Sequence, residues 1–263
     1  MVRGKSIRMQ RITSSGKIVC VPMDHGVSVG PIKGLENPNE IIRKIEQGGA
    51  TSVLAHKGIF KSLAIPPKIG IIVHITGSTD LGPAPNSKKL VGTVEEAIRL
   101  GADAVSVHIN IGSKEEPEML QLLGMVADEC DKWEMPLIGM MYPRGEKISN
   151  PSDPVIVSHV ARVGAELGAD LVKTVYTGDP KTFEKVVKSC PVPIAVAGGP
   201  KSDTDKAVLE LARDVVRAGA IGVTFGRNIF EHRNPELITK AISMVVLKGA
   251  SVEEAMNLIG RGT

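Results

Sequence analysis

A lysine within an apolar run is the residue of this sequence best suited to covalent chemistry. Lys173 lies among Leu171, Val172 and Val175, whereas lysine side chains are rarely buried without a partner. Alternation along a strand places Lys173 on the same side as Leu171 and Val175. An amine in that setting would lose its charge easily and attack a ketone to form an imine. A snorkelling or salt-bridged lysine is the structural alternative.

Two other polar residues end apolar runs and could move protons. Asp24 follows the run from Ile18 and precedes a histidine and a glycine. Near Lys173 its carboxylate would act as a general base, and the alternative is a cap on the following loop. Tyr142, one of two tyrosines, could pass a proton to and from a substrate oxygen. The alternative for Tyr142 is an amphipathic ring that covers an apolar interior.

The runs that carry these residues belong to a repeated pattern. Apolar runs typical of parallel strands covered by helices occur at Ile18–Asp24, Ser52–Lys57, Gly70–Ile75, Ala104–Asn110, Leu137–Tyr142, Leu171–Tyr176, Ile194–Gly199 and Gly222–Asn228. Amphipathic runs predict helices at Pro38–Gln47, Val94–Leu100, Pro117–Trp133, Pro154–Leu167, Pro180–Lys188, Thr204–Arg217 and Pro235–Leu247, with a terminal helix at Val252–Ile259. Strand and helix therefore alternate along the whole chain.

Capping residues mark the ends of the predicted helices. Four helices begin with a polar N-cap directly before proline, at Asn37, Asp153, Asp179 and Asn234. Four end in Gly-Ala, where glycine can adopt the left-handed C-cap conformation, at Gly49, Gly101, Gly168 and Gly219. Eight such units at a period of roughly 30 residues predict an α/β fold, a parallel eight-stranded (β/α)8 TIM barrel. Its length is that of a single domain, residues 1–263.

In such a barrel the chemistry takes place at the carboxyl ends of the strands, where Lys173, Tyr142 and Asp24 all lie. The seventh and eighth predicted strands end in Gly198-Gly199 and Gly226-Arg227. Glycines leave backbone N–H groups uncovered, and the guanidinium adds a fixed positive fork. Because barrels of this kind commonly bind phosphate there, we predict a phosphate site. Glycines of tight turns are the alternative.

Four histidines near strand ends raise the question of a metal: His25, His56, His74 and His108. Paired H-x-H or H-x-x-x-H spacing is absent from the sequence, and carboxylates do not accompany these histidines as they do in metal-dependent barrels. Hydrogen-bonded polar residues at the barrel mouth are therefore the favoured interpretation. We expect no metal and no cofactor.

Composition narrows the class of protein. Hydrophobic residues make up 42% and charged residues 23%, with a net charge of +3, as in ordinary globular proteins. Nucleic-acid binding is not expected, since no basic run interleaves with aromatics. Membrane insertion is not expected either, because no apolar run reaches the roughly 18–20 residues of a span. Cys20, Cys130 and Cys190 are far apart, which favours free thiols in the cytoplasm.

Five motifs, in order along nearly the whole chain, resemble the archaeal-type class I aldolases. They are Pro22–Ser28, Met141–Gly145, Val172–Asp179, Ala197–Lys201 and Gly226–Phe230. The resemblance implies a TIM-barrel enzyme with a Schiff base on Lys173 and with Tyr142 and Asp24 as the other catalytic residues. It implies substrate contacts at Asp24, His25, Gly26, Val27, Ser28, Tyr142, Pro143, Arg144, Lys173, Gly198, Gly199, Gly226 and Arg227.

Within that family, the stretches Gly30–Leu35 and His108–Ser113 favour members that work by transaldol chemistry. The implied donor is 6-deoxy-5-ketofructose 1-phosphate, also called 1-deoxy-D-threo-hexo-2,5-diulose 6-phosphate, and the implied acceptor is L-aspartate 4-semialdehyde. The implied products are 2-amino-3,7-dideoxy-D-threo-hept-6-ulosonate and hydroxypyruvaldehyde phosphate, early in the archaeal route to 3-dehydroquinate and the aromatic amino acids. The resemblance also implies a homo-oligomer, a decamer.

Two other functions stay open from the sequence. One is a fructose-bisphosphate aldolase, or another phosphosugar aldolase or thiolase of the same family, because it needs the same lysine and phosphate site. The other is a non-catalytic barrel that binds a phosphorylated metabolite, against which the intact set of Lys173, Tyr142 and Asp24 argues. No motif indicates what holds the amino-acid end of the acceptor, and Lys57, Lys88 and Lys89 are the candidates for its carboxylate.

Overall fold

The structure is a computed structural model that describes residues 3–261, so Met1, Val2, Gly262 and Thr263 of the predicted domain lie outside it. Eight parallel strands close into a barrel, which confirms the predicted fold. In chain order they are β1 (Ile18–Pro22), β2 (Ser52–His56), β3 (Gly70–His74), β6 (Ala104–Ile111), β7 (Leu137–Pro143), β8 (Leu171–Thr174), β9 (Ile194–Ala197) and β10 (Gly222–Thr224). Two short antiparallel strands, β4 (Thr76–Gly77) and β5 (Lys89–Leu90), close a loop between β3 and β6.

All eight helices predicted from periodicity are present, with ends that differ by at most two residues. They are α3 (Pro38–Gln47), α5 (Val94–Arg99), α6 (Glu116–Lys132), α7 (Pro154–Glu166), α8 (Pro180–Ser189), α9 (Asp205–Arg217), α11 (Pro235–Lys248) and α12 (Val252–Arg261). The part of the chain that the structure describes has four further helices that the pattern did not predict: α1 (Gly4–Ile12), α2 (His25–Val29), α4 (Lys57–Lys61) and α10 (Arg227–Phe230). The last three have four or five residues, too few to show a helical period.

These short helices correct the predicted ends of three strands. Asp24, Lys57 and the pair Arg227-Asn228 lie beyond the last strand residues, where the chain turns directly into α2, α4 and α10. After β10 the run continues past the strand because Asn228, Ile229 and Phe230 of α10 are buried, whereas α2 and α4 bury none of their residues. The helix caps themselves are as predicted, since the side chains of Asn37, Asp153, Asp179 and Asn234 all accept backbone N–H groups.

The Gly-Ala sequences that follow four helices also behave as predicted. Gly49, Gly101, Gly168 and Gly219 have φ values of +84°, +77°, +98° and +95°. Residues other than glycine rarely adopt positive φ values of this kind. Each of these glycines therefore redirects the chain from the outer helix to the next strand.

Side-chain alternation divides the core into two layers. Residues such as Val19, Val21 and Val172 face the helices, whereas Cys20, Leu171 and Lys173 face the barrel interior. At the amino ends of the strands, α1 closes the barrel, with Ile12 fully buried in the interior cluster. A Cβ atom at Gly70 would lie 2.5 Å from the Arg11 carbonyl oxygen, so glycine permits this close approach. The open end is therefore the one at the carboxyl ends of the strands.

None of the helices within residues 3–261 combines the length and apolar character that a bilayer crossing requires.

Candidate active site

The carboxyl ends of the strands surround a cavity of about 760 Å³. Eleven of the thirteen predicted substrate contacts line it: Asp24, His25, Ser28, Tyr142, Pro143, Arg144, Lys173, Gly198, Gly199, Gly226 and Arg227. Gly26 and Val27 do not. They lie on α2, whose turn directs His25, Ser28 and Val29 toward the cavity, since residues three and four apart share a helix face. The substrate contact predicted at Gly26 and Val27 stays a prediction.

Lys173 lies inside the barrel on β8 and is 4% exposed. Burial acts to lower the pKa of its amine, but Tyr142 and Asp24 outweigh burial and the net pKa lies above the ordinary value. The prediction that this lysine loses its charge easily is therefore wrong for the free protein. Through-space interactions hold it as an ammonium, so imine formation requires that a proton leave toward a neighbouring group.

Asp24 is such a neighbour. It occupies the residue before α2 but its side chain makes no capping hydrogen bond, which removes the capping alternative. Burial by itself would raise the pKa of Asp24, yet His74, Lys173 and His25 together hold it far below its usual range. The two charges of Asp24 and Lys173 are thus coupled. When the lysine becomes uncharged during the reaction, the pKa of Asp24 rises and its carboxylate becomes a better base.

Tyr142 lies near the mouth on the same interior face as Lys173. Met140 of β7 pairs with Lys173 of β8, and Tyr142 is two residues further along β7, so it projects inward one step closer to solvent. It is 9% exposed. The ring of His108 lies 4.8 Å away and the guanidinium carbon of Arg144 lies 5.6 Å from the ring centre. These contacts fix the orientation of the phenol.

The glycine turns after β9 and β10, the seventh and eighth barrel strands, meet at Arg227. A Cβ at Gly198 would lie 2.8 Å from the Phe225 ring, and one at Gly226 would lie 3.0 Å from the Pro22 carbonyl oxygen. Arg227 donates from Nη2 to the Gly199 carbonyl at 3.0 Å. Its Nε is buried and finds no acceptor within the described part of the chain. A buried donor without a partner suits an anionic ligand.

Asn228 stabilises these turns and was not identified from the sequence. It is buried, donates to the Gly198 carbonyl at 3.1 Å and accepts the Ser202 N–H at 2.7 Å. The signal that could have found it is a polar residue directly after the predicted phosphate-binding arginine. Its role is to hold two loops that are about 30 residues apart in the sequence.

Two of the four predicted mouth histidines, His74 and His108, make side-chain hydrogen bonds, whereas the buried Nδ1 of His25 has no hydrogen-bond partner among the described residues. His74 contacts Ser106 at 2.8 Å and Thr76 at 3.2 Å, and His108 contacts Asn110 at 2.8 Å. Burial lowers the pKa of His74 to about 3 and that of His108 well below its usual value. Both are therefore neutral at physiological pH. Across residues 3–261, no three histidine, cysteine, aspartate or glutamate side chains converge as a metal-binding group.

The sequence of this barrel matches a known enzyme family. The profile described as DeoC/LacD family aldolase matches residues 18–232.

The chain belongs to the DeoC/LacD aldolase family.

Several relatives of this DeoC/LacD aldolase cover nearly its whole length. It is 42% identical to 2-amino-3,7-dideoxy-D-threo-hept-6-ulosonate synthase 1 of Archaeoglobus fulgidus, over 98% of this chain and 96% of that protein. It is 37% identical to 2-amino-4,5-dihydroxy-6-oxo-7-(phosphonooxy)heptanoate synthase of Streptomyces griseus, over 92% and 90%. A solved archaeal fructose-1,6-bisphosphate aldolase, with its catalytic lysine covalently bound to the carbinolamine intermediate, shares 33% identity and a TM-score of 0.87 over 92% and 99%.

This DeoC/LacD aldolase places one of the three candidate acceptor lysines in the cavity. Lys57 is bound to Glu96 at 2.9 Å, and Lys89 is exposed on β5. Lys88 lines the cavity together with Asp80, from the loop between β4 and β5. Asp80 was missed because loops show no periodicity that would indicate which side chains turn inward.

Proposed function

We propose that this aldolase joins 6-deoxy-5-ketofructose 1-phosphate to L-aspartate 4-semialdehyde, giving 2-amino-3,7-dideoxy-D-threo-hept-6-ulosonate and hydroxypyruvaldehyde phosphate. The observation that carries the proposal is Lys173, buried in the cavity and coupled to Asp24 and Tyr142. The 42% identity to the Archaeoglobus fulgidus enzyme of that name supports this choice of substrates. In this role the protein acts at an early step of archaeal aromatic amino-acid biosynthesis.

The reaction begins with the amine of Lys173. Asp24 accepts a proton from the Lys173 ammonium, and the uncharged amine attacks the donor ketone beside the methyl group. Asp24 returns that proton to the carbinolamine hydroxyl, which leaves as water and gives a protonated imine. The imine is an electron sink, so the neighbouring carbon–carbon bond breaks and its electron pair forms an enamine. Asp24 takes the hydroxyl proton at that cleavage, and hydroxypyruvaldehyde phosphate leaves. The iminium supplies the polarisation that a metal ion supplies in other aldolases.

The second half of the reaction makes a new bond. The enamine carbon attacks the aldehyde of L-aspartate 4-semialdehyde, and Tyr142 donates a proton as the aldehyde oxygen becomes a hydroxyl. The proton that Asp24 removed at cleavage restores the Tyr142 phenol, and water hydrolyses the protonated imine to the product ketone and the Lys173 ammonium. The Arg144 guanidinium beside the Tyr142 ring keeps a positive charge close to the oxygen that gains electrons.

The donor phosphate is assigned to the glycine turns and Arg227. Arg227→Ala is expected to raise the donor KM by about ten- to a hundredfold, the value of a charge-assisted contact. The acceptor KM should change little. Arg43→Ala is the matched control, because Arg43 lies on the exposed face of α3 and bonds only to Gln47 among the described residues. Steady-state kinetics measure both constants, and an unchanged donor KM would move the phosphate to another part of the cavity.

Borohydride trapping tests the proposed function. Sodium borohydride added with the donor should inactivate the enzyme and leave a sugar fragment on Lys173, because reduction makes the imine permanent. Peptide mass spectrometry locates the fragment, and borohydride without donor is the control. A label on another lysine, or loss of activity in EDTA, contradicts this mechanism. Consumption of L-aspartate 4-semialdehyde, measured beside cleavage of fructose 1,6-bisphosphate, separates the proposal from the fructose-bisphosphate aldolase alternative.

We also propose the domain organisation, the cellular location and the assembly of this protein. We assign residues 1–263 to one domain, of which the family match covers 18–232. The three cysteines are free and buried, which agrees with a protein of the reducing cytoplasm. The proposed assembly is a homo-oligomer, a decamer, and analytical ultracentrifugation would measure its mass. We propose no nucleic-acid or membrane partner.

A further inference from the structure

The loop at residues 78–88 is held rigidly over one side of the cavity. The Asp80 N–H donates to the Ser28 carbonyl of α2 at 2.9 Å. The Asn110 Nδ2 of β6 donates to the Asn86 carbonyl at 2.9 Å. Within the loop, Ser78 Oγ donates to the Pro85 carbonyl at 2.6 Å. The paired strands β4 and β5 close its base. Side chains on such a loop can form a preorganised binding site.

Lys88 is a buried cation on this loop. It is 6% exposed and its side-chain partner is the neutral hydroxyl of Ser78. Burial, then the charge of Arg144, lowers the pKa of Lys88. Within residues 3–261 no carboxylate forms a salt bridge with it, whereas Lys57 at the same mouth is bound to Glu96. Burying a cation without a counter-ion is costly, so this position favours an anionic ligand.

The charges around Lys88 are mixed in sign. Arg144 and Asp80 line the same cavity and both act electrostatically on Lys88. Two cations beside one carboxylate complement a group that carries both a carboxylate and an ammonium. A phosphate would meet repulsion from Asp80, whereas the turns around Arg227 offer it a guanidinium and glycine backbone.

We propose that Lys88, Arg144 and Asp80 form the subsite for the α-amino-acid end of the acceptor, with Lys88 and Arg144 on its carboxylate and Asp80 on its ammonium. The assignment rests on the proposed function. Arg144 lies over the Tyr142 ring, so this subsite is next to the phenol that protonates the acceptor aldehyde. In L-aspartate 4-semialdehyde the aldehyde carbon and the carboxylate carbon are separated by three bonds, which matches the neighbouring positions of Tyr142 and Arg144. The enamine carbon is bonded first to the phosphate-bearing fragment of the donor and later to the aldehyde carbon of the acceptor. Rotation about the next single bond lets the phosphate and the amino-acid end point to different parts of the cavity.

Lys88→Met tests the carboxylate contact while it keeps the length of the side chain. The acceptor KM should rise by about ten- to a hundredfold, with the donor KM and borohydride trapping by donor alone unchanged. Lys89→Met is the matched control, because its side chain is exposed on β5, and it should leave all three readouts unchanged. Lys88→Arg should restore part of the acceptor affinity.

Asp80→Asn tests the ammonium contact. Its KM for L-aspartate 4-semialdehyde should rise, whereas its KM for succinate semialdehyde, which lacks the amino group, should not. Equal changes for the two aldehydes would overturn the assignment of Asp80.

The outcomes separate this subsite from the proposed function. An unchanged acceptor KM in folded Lys88→Met, or an equal rise of the donor KM, overturns the subsite and leaves the transaldol reaction in place. A wild-type protein that traps no donor on Lys173 and consumes no L-aspartate 4-semialdehyde overturns the proposed function itself, whatever Lys88 does. Circular dichroism of each variant shows that the barrel is folded.

Discussion

Tyr142→Phe is expected to lower turnover by about 10²–10⁴-fold, the usual effect of losing a general acid. The substitution keeps the ring that packs against His108 and lies beneath Arg144, so the barrel should fold normally. Trapping of the donor on Lys173 should persist, because the tyrosine acts after the imine has formed. Single-turnover trapping and steady-state turnover, measured on the same sample, separate the two steps.

Tyr176→Phe is the matched control for that experiment. Tyr176 is the other tyrosine of the chain, and its buried hydroxyl has no hydrogen-bond partner among the described residues. Its ring packs on Phe183 and does not line the cavity. Tyr176→Phe should therefore retain normal turnover. Near-normal turnover in Tyr142→Phe would show that the phenol only covers the barrel interior, and proton donation would pass to Asp24 or water.

Asp24→Asn is also expected to lower turnover by about 10²–10⁴-fold, because the amide cannot accept the protons that leave during imine formation and bond cleavage. The variant should fold, since the carboxylate makes no capping hydrogen bond with α2. The same substitution changes the charge state of Lys173. The negative charge of Asp24 raises the pKa of the lysine, whereas burial lowers it, so removing the carboxylate lowers that pKa.

The pH dependence of trapping measures this second effect. With a lower pKa, Lys173 becomes an uncharged amine at lower pH, so the rise of imine formation with pH should move to lower pH in Asp24→Asn. The maximal rate should be smaller, because the base that assists dehydration is gone. A curve that keeps its wild-type midpoint would show that Asp24 does not act on the lysine. Asp128→Asn, on the exposed face of α6, is a control for the loss of one carboxylate.

Much of this protein is determined by features that span about ten residues of sequence. Apolar runs and helical periods define the eight barrel strands and their outer helices, and Asn37 or Gly49 sets a helix end through contacts with its own neighbours. Because parallel strands all end at one mouth, the sequence also places Lys173, Tyr142 and Asp24 at the same cavity before any distance is known.

Other properties depend on contacts between distant segments, and only the tertiary structure decided them. The sequence suggests that Lys173 is easily deprotonated, yet Asp24 and Tyr142, brought from other strand ends, hold the pKa of its amine high. Electrostatic interactions act through space, so periodicity carries no record of them. Contacts between distant segments also distinguish Lys57 from Lys88, the two candidate acceptor lysines at the mouth. Glu96, 39 residues away, neutralises Lys57, whereas the fold of the 78–88 loop leaves Lys88 as a buried cation facing the cavity.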